Sequence, residues 1–188
     1  EGAISDTKTL WVWNRTLSTN GAYEVKGVGD AFVIAPGQGF FVQANAAGGT
    51  FNFAESNQSH NGADTFQRDT KNEFKLIISD GTINNYAKVY YLNNTTTGFD
   101  VGYDGEMFSG TSNSFAVYTH LITDSQGKNY QIQSLPKANY ENMVIPVGLN
   151  VEAGKEITFS VEDLNLPTDI KVFLEDKETN TFTRLDEA

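Results

Sequence analysis

Apolar residues in this chain recur at every second position in short stretches, and no window of a dozen residues keeps the i, i+3, i+4 spacing of a helix. Alternation of period two marks strands with one buried face. It runs through TLWVWN (9–14), SFAVYTHLIT (114–123), NYQIQSLP (129–136) and KEITFSVEDL (155–164). It also runs through EFKLIISDGTINNYAKVYYLN (73–93), which Asp80-Gly81, a strong hairpin dipeptide, divides into two strands. AFVIAPGQGFFVQANA (31–46) reads as two short strands about the turn PGQG, and TFNFAES (50–56) as one more with Phe51 and Phe53 on one face. NMVIPVGLNV (142–151) carries Pro146, which suits a sheet edge or a strand end. DIKVFLEDKETNTFTRLDE (169–187) reads as a terminal hairpin with DKETN as its loop. Roughly a dozen short strands, about one per 12–15 residues, predict an all-β fold, an antiparallel β-sandwich.

The polar stretch ESNQSHNGADTFQRDTKNE (55–73) has Phe66 as its only large apolar residue. It divides the chain into an N-terminal β lobe over 1–60 and a C-terminal β-sandwich over 61–188, jelly-roll-like or immunoglobulin-like. The alternative is one continuous domain with a long loop, which is uncommon unless functional or mobile. The chain begins a few residues before a strand and reads as a module of a longer protein.

Charge and composition exclude several classes. The net charge is −11, and an acidic surface repels phosphate backbones, so nucleic acid is not an expected partner. No apolar run reaches the roughly 18 residues that span a bilayer, so membrane insertion is not expected either. There are no cysteines, which excludes disulfides, thiolate zinc sites and cysteine catalysis. His60 and His120 have no metal-type partner two or four positions away, and no nucleophile elbow is present. PGQGFF (36–41) lacks the Lys-Ser/Thr of a phosphate loop and reads as a turn between strands. No catalytic residue is assigned, and the chain is read as a non-enzyme.

Two places carry the chemistry of a binding site. Trp11 and Trp13 are the only tryptophans. On a strand they share a face with Cα atoms about 6.5–7 Å apart, close to the pitch of successive sugar rings. Exposed, they would stack on pyranose faces; buried, they would be core, and Leu10 and Val12 on the opposite face compete for that role. The second place is TTTGFDVGYDGEMF (95–108). An extended Phe99–Tyr103 puts Phe99, Val101 and Tyr103 on one face and Asp100, Gly102 and Asp104 on the other. Asp100 and Asp104, with Glu106 returning after Asp104-Gly105, would then offer oxygen ligands to calcium, although the spacing does not match an EF-hand loop. The plainer reading is a turn at Asp104-Gly105 with Asp100 accepting backbone N–H bonds.

LWVWN, IAPGQGFFVQA, FNFAES, TTTGFDVGYDGEMF, YQIQSLP, VIPVGLNV and VFLEDKETNTFTRL occur in that order along nearly the whole chain. In this order they resemble the β-rich region that precedes the C-terminal sorting domain in many proteins exported by the type IX secretion system of Bacteroidota. PGQGFFV, TGFDVGYDG and VFLEDKETNTFTRL are the most specific pieces. The resemblance implies an extracellular or cell-surface location, within a large adhesin or a polysaccharide-degrading enzyme that carries accessory modules. It supplies no catalytic residues. The expectation is therefore a non-catalytic carbohydrate-binding or adhesive module, with Trp11, Trp13 and Tyr103 as ligand contacts and a polysaccharide or cell-surface glycan, together with neighbouring domains of the same chain, as partners. Its alternative is a structural spacer with both tryptophans buried and no ligand.

Overall fold

The computed structural model describes residues 8–17, 21–27, 30, 32–34, 37–44, 48, 53–58 and 72–187. Among them are twelve strands, 3-10 turns at Glu55–Asn57 and Tyr140–Asn142, and no α-helix. The all-β, sandwich-like expectation holds.

β1 (Leu10–Asn14), β2 (Ala22–Lys26) and β3 (Phe40–Val42) form a three-stranded sheet with β1 in the middle. β4 (Asn72–Ser79), β5 (Asn84–Leu92), β6 (Gly105–Glu106), β7 (Ala116–Thr119), β8 (Tyr130–Pro136), β9 (Val147–Asn150) and β10 (Thr158–Asn165) form a second sheet. Its order is β10-β4-β5-β8-β7-β9, with β6 also paired to β8. β11 (Phe173–Asp176) and β12 (Thr181–Arg184) make a hairpin.

Local chemistry explains the best-predicted element. In the β4–β5 hairpin the Asp80 carboxylate accepts the N–H groups of Ile83 at 2.9 Å and Thr82 at 3.0 Å. Gly81 takes φ +85°, a left-handed value that costs glycine little. Those two N–H groups hold the Asp80 carboxyl below its ordinary range. One pairing departs from the antiparallel expectation. β5 and β8 run parallel, Lys88 opposite Ile132 through Leu92 opposite Pro136. Parallel neighbours need a long crossover, and residues 93–129 supply it with loops, β6 and β7 in place of a helix.

Alternation on β5 feeds two cores. Ala87, Val89 and Tyr91 join Phe74, Leu76 and Ile78 of β4, with Phe115, Val117, Leu135 and Leu185, in the larger core. Tyr90 of β5 and Ile132 of β8 join Trp11 and Val25 in a smaller core beneath the three-stranded sheet. Each large apolar side chain so buried contributes roughly 1.5–3 kcal/mol, so the larger cluster dominates and the smaller one serves to dock β1–β3. Polar bonds fix that docking. Val25 N donates to Gln131 Oε1 at 2.7 Å, and Asn85 Nδ2 donates to Leu17 O at 2.9 Å. Gly105 of β6 lies against β2: an added Cβ would run into Val25 Cγ1.

The alternation misplaced some elements. Of 31–46 only β3 forms a strand among the described residues, and Pro36 lies outside them. Of 50–56, Phe51 is outside the described residues, while Glu55–Asn57 is a 3-10 turn. AYEVK (22–26) is a strand that the pattern did not single out. Residues 59–71, most of the proposed boundary, and with them His60 and Phe66, lie outside the described residues.

Candidate functional site

The acidic segment is a turn, not an extended strand. Tyr103 N and Asp104 N both donate to Asp100 O at 3.0 Å, and Gly102 sits at φ +84°. The turn decides which side chains face solvent. Phe99, Val101 and Tyr103 are exposed, at 40%, 48% and 42%, whereas Asp104 has no exposed surface. Its Oδ1 accepts Ser134 N at 2.7 Å and its Oδ2 accepts Asp100 N at 2.7 Å. Asp104 therefore pins the loop to β8. Burial pushes its pKa up to about 7, with the neighbouring Asp100 charge adding to the rise and the two N–H bonds opposing it.

The three carboxylates of the calcium reading each have a partner within the protein. Asp100 Oδ2 accepts Thr96 N at 2.6 Å, and Thr96 Oγ1 lies 3.2 Å from both of its oxygens. Glu106 pairs with Lys128 Nζ at 2.9 Å. The three carboxylates are thus committed to different partners and do not converge. Among the described residues no group of three or more His, Cys, Asp or Glu side chains could hold a metal ion. Converging lone pairs are what a hard cation requires, and here a backbone N–H or an ammonium occupies that role.

The tryptophans separate in the same way. Near the centre of β1 both side chains are buried, Trp11 at 7% exposed against Tyr90 and Ile132 of the second sheet and Val12 at 2%. The Trp11 indole donates to Glu106 O at 3.0 Å and leans on Phe108 with ring centroids 5.8 Å apart. Trp11 as a sugar contact is corrected: it is core. Trp13 lies one turn of the pleat further out and is 45% exposed. Its register partner is Tyr23 on β2, and the rings meet edge to face at 5.0 Å. Phe41 of β3, 49% exposed, also meets Tyr23 edge to face at 5.2 Å. Gly21, at φ +81°, backs the Trp13 ring so closely that a Cβ there would strike it.

The result is a surface aromatic group, Trp13–Tyr23–Phe41, from three strands. Tyr23 and Phe41 were absent from the sequence-based set. AYEVK does carry the signal, since alternation between flanking glycines puts Tyr23 and Val25 on one face. The pairing of Tyr23 with Trp13 needed the register. Tyr103 is exposed as a contact requires, but on the separate loop pinned by Asp104. His120 is held through Nδ1 to Lys128 O at 2.8 Å and packs edge-on to Tyr118 at 5.4 Å, a structural role.

No helix among the described residues is long and apolar enough to cross a membrane. Residues 5–188 match the family described as Domain of unknown function (DUF8693). No curated protein and no solved structure matches the chain.

Proposed function

The chain belongs to this family, and from its surface we propose a non-catalytic extracellular binding module of a larger secreted protein, taking polysaccharide or a cell-surface glycan on the aromatic group around Trp13. The observation that carries this reading is the exposure of Trp13 at 45% while its ring is fixed by Tyr23 and Gly21. A ring that is already ordered loses little entropy on binding, and its apolar face suits the C–H face of a pyranose. Phe41 extends the surface, and Tyr103 on its own loop offers a further contact. The net charge of −11 favours a neutral polymer over an anionic one. The resemblance of TGFDVGYDG and VFLEDKETNTFTRL to type IX-exported proteins supports the extracellular setting.

The alternative is a spacer that holds a neighbouring domain in place, and the burial of Trp11 favours it. A pull-down on insoluble plant and marine polysaccharides, backed by a glycan array, distinguishes the two. Binding by the parent protein that Trp13→Ala and Phe41→Ala both abolish supports the glycan reading. Failure to bind any polysaccharide or array glycan leaves the spacer.

A further inference from the structure

A second surface has the chemistry of a binding site. Where the turn after β1 approaches the β4–β5 hairpin and β10, the surface opens into a cleft of about 350 Å³. Its lining includes aliphatic Leu17, Ile77 and Ile83. Its walls are amides and hydroxyls from Asn14, Thr82, Asn84 and Tyr86, and an ion pair between Lys75 Nζ and Glu162 Oε2 at 3.1 Å.

The walls are held from behind by Glu24, which is 9% exposed. Its carboxylate accepts Asn14 Nδ2 at 3.0 Å and the Tyr86 hydroxyl, and it pairs with Lys26 at 2.6 Å. Burial alone would raise the Glu24 pKa; the bonds from Lys26, Tyr86 and Asn14 together bring it below the ordinary value. Glu24 is therefore a charged anchor that keeps the Asn14 amide and the Tyr86 ring from swinging. The Lys75 ammonium sits 5.0 Å over that ring. Asn85, 1% exposed, is tied to the Leu17 carbonyl. The cleft is thus preorganised, and its volume lies in the roughly 300–1,000 Å³ range of small-molecule sites.

The lining selects the class of ligand. Asn14, Asn85 and Tyr86 spend their polar atoms within the protein, which leaves the Asn84 amide and the Thr82 hydroxyl beside aliphatic Leu17, Ile77 and Ile83, a lining that suits a ring bearing hydroxyls and C–H faces. An anion is disfavoured, because the Lys75 ammonium is already paired with Glu162 and Glu24 lies behind the wall. Asn14 and Trp13 are successive residues of β1 and so point to opposite faces of its sheet, which separates this cleft from the aromatic group.

We propose that this cleft binds a neutral polyhydroxylated ring compound, a monosaccharide or a short saccharide end, independently of Trp13. The test is a titration of the 15N-labelled protein, followed by amide shifts, with a panel of neutral monosaccharides and with inorganic phosphate. The expected result is saturable shifts confined to residues 14–17 and 75–86 for at least one sugar. Asn84→Ala combined with Glu162→Gln should weaken that binding about tenfold, whereas Trp13→Ala leaves it unchanged. Asn84 and Glu162 are exposed, and unchanged melting of the double variant checks its fold. No saturable shift with any sugar overturns the proposal. So do shifts with phosphate alone, shifts that survive the double substitution, or shifts that Trp13→Ala removes. Polysaccharide binding that is lost with Trp13 while the cleft shifts persist would separate this site from the one proposed above.

Discussion

Asp104 should make this protein less stable as the pH rises from 5 to 8. Its carboxyl has no exposed surface and is pushed up to about 7 by that burial. In the unfolded chain it returns to about 3.9. The folded state therefore holds a proton over a window in which the unfolded state has lost it. That contribution is complete below the unfolded value and fades as the pH climbs through the folded one. A shift of about three units, at roughly 1.4 kcal/mol per unit, corresponds to about 4 kcal/mol in all. Between pH 5 and pH 8 about 2.5 kcal/mol of it should disappear. For a chain of this size that lowers the melting midpoint by about 5–10 °C.

Among the described residues, the carboxyls held below their ordinary range lie outside this window. Asp186 is held down to about 2 by the Arg184 guanidinium, and Glu24, Asp80 and Asp176 are also lowered. They cost stability only as the pH falls below about 5, since above it they are ionised in both states. Calorimetric melts at fixed ionic strength, with Asp104→Asn run beside the parent, isolate the Asp104 slope. The variant should lack it. At pH 5 it should also melt lower, because one of the two N–H groups of Asp100 and Ser134 then faces an amide NH2, at a cost of about 1–3 kcal/mol. A parent whose difference from Asp104→Asn is constant from pH 5 to 8, or a carboxyl 13C titration of Asp104 with a midpoint near 4, would refute the reasoning.

The remaining predictions concern Gln133 and the two tryptophans. Gln133 is wholly buried, with neither amide atom in a hydrogen bond, so Gln133→Leu, close in volume, should raise stability by about 1–3 kcal/mol in urea unfolding; a loss of that size would mean that the amide is satisfied. Trp11→Ala should cost about 3–5 kcal/mol and Trp13→Ala under about 1 kcal/mol. Iodide quenching should find one accessible indole and one protected, and a single accessible population would contradict the burial of Trp11.

The legibility of the candidate sites followed a simple division. Asp80-Gly81 names its own turn, because the carboxylate bonds N–H groups two and three residues away and the glycine supplies the positive φ. Those are local interactions, and a sequence contains them. In TTTGFDVGYDGEMF only the local part was legible: Asp100 accepts Thr96 N, as the plainer reading has it, but the burial of Asp104 was not foreseen. The segment's alternation of apolar and acidic residues is compatible with either face inward, and the partner that decided it, Ser134 N, lies 30 residues away on β8. Trp11 and Trp13 likewise share a strand face, yet one is core and one is surface. The difference is the position of Trp11 over Tyr90 and Ile132, set by which sheet packs on which.

The amino-acid sequence by itself determined that this protein would be built from short strands, where its tightest hairpin would turn, and that its surface would be acidic. Those properties follow from period, local hydrogen bonding and composition, none of which needs a distant partner. Only the tertiary structure decided that Asp104 would be buried and Phe99 and Tyr103 exposed. It also decided that β5 would pair with β8 in parallel, and that Trp13 would find Tyr23 and Phe41. Each of these depends on register and sheet stacking, and burial of a carboxyl is settled only when a remote strand delivers an N–H group to it.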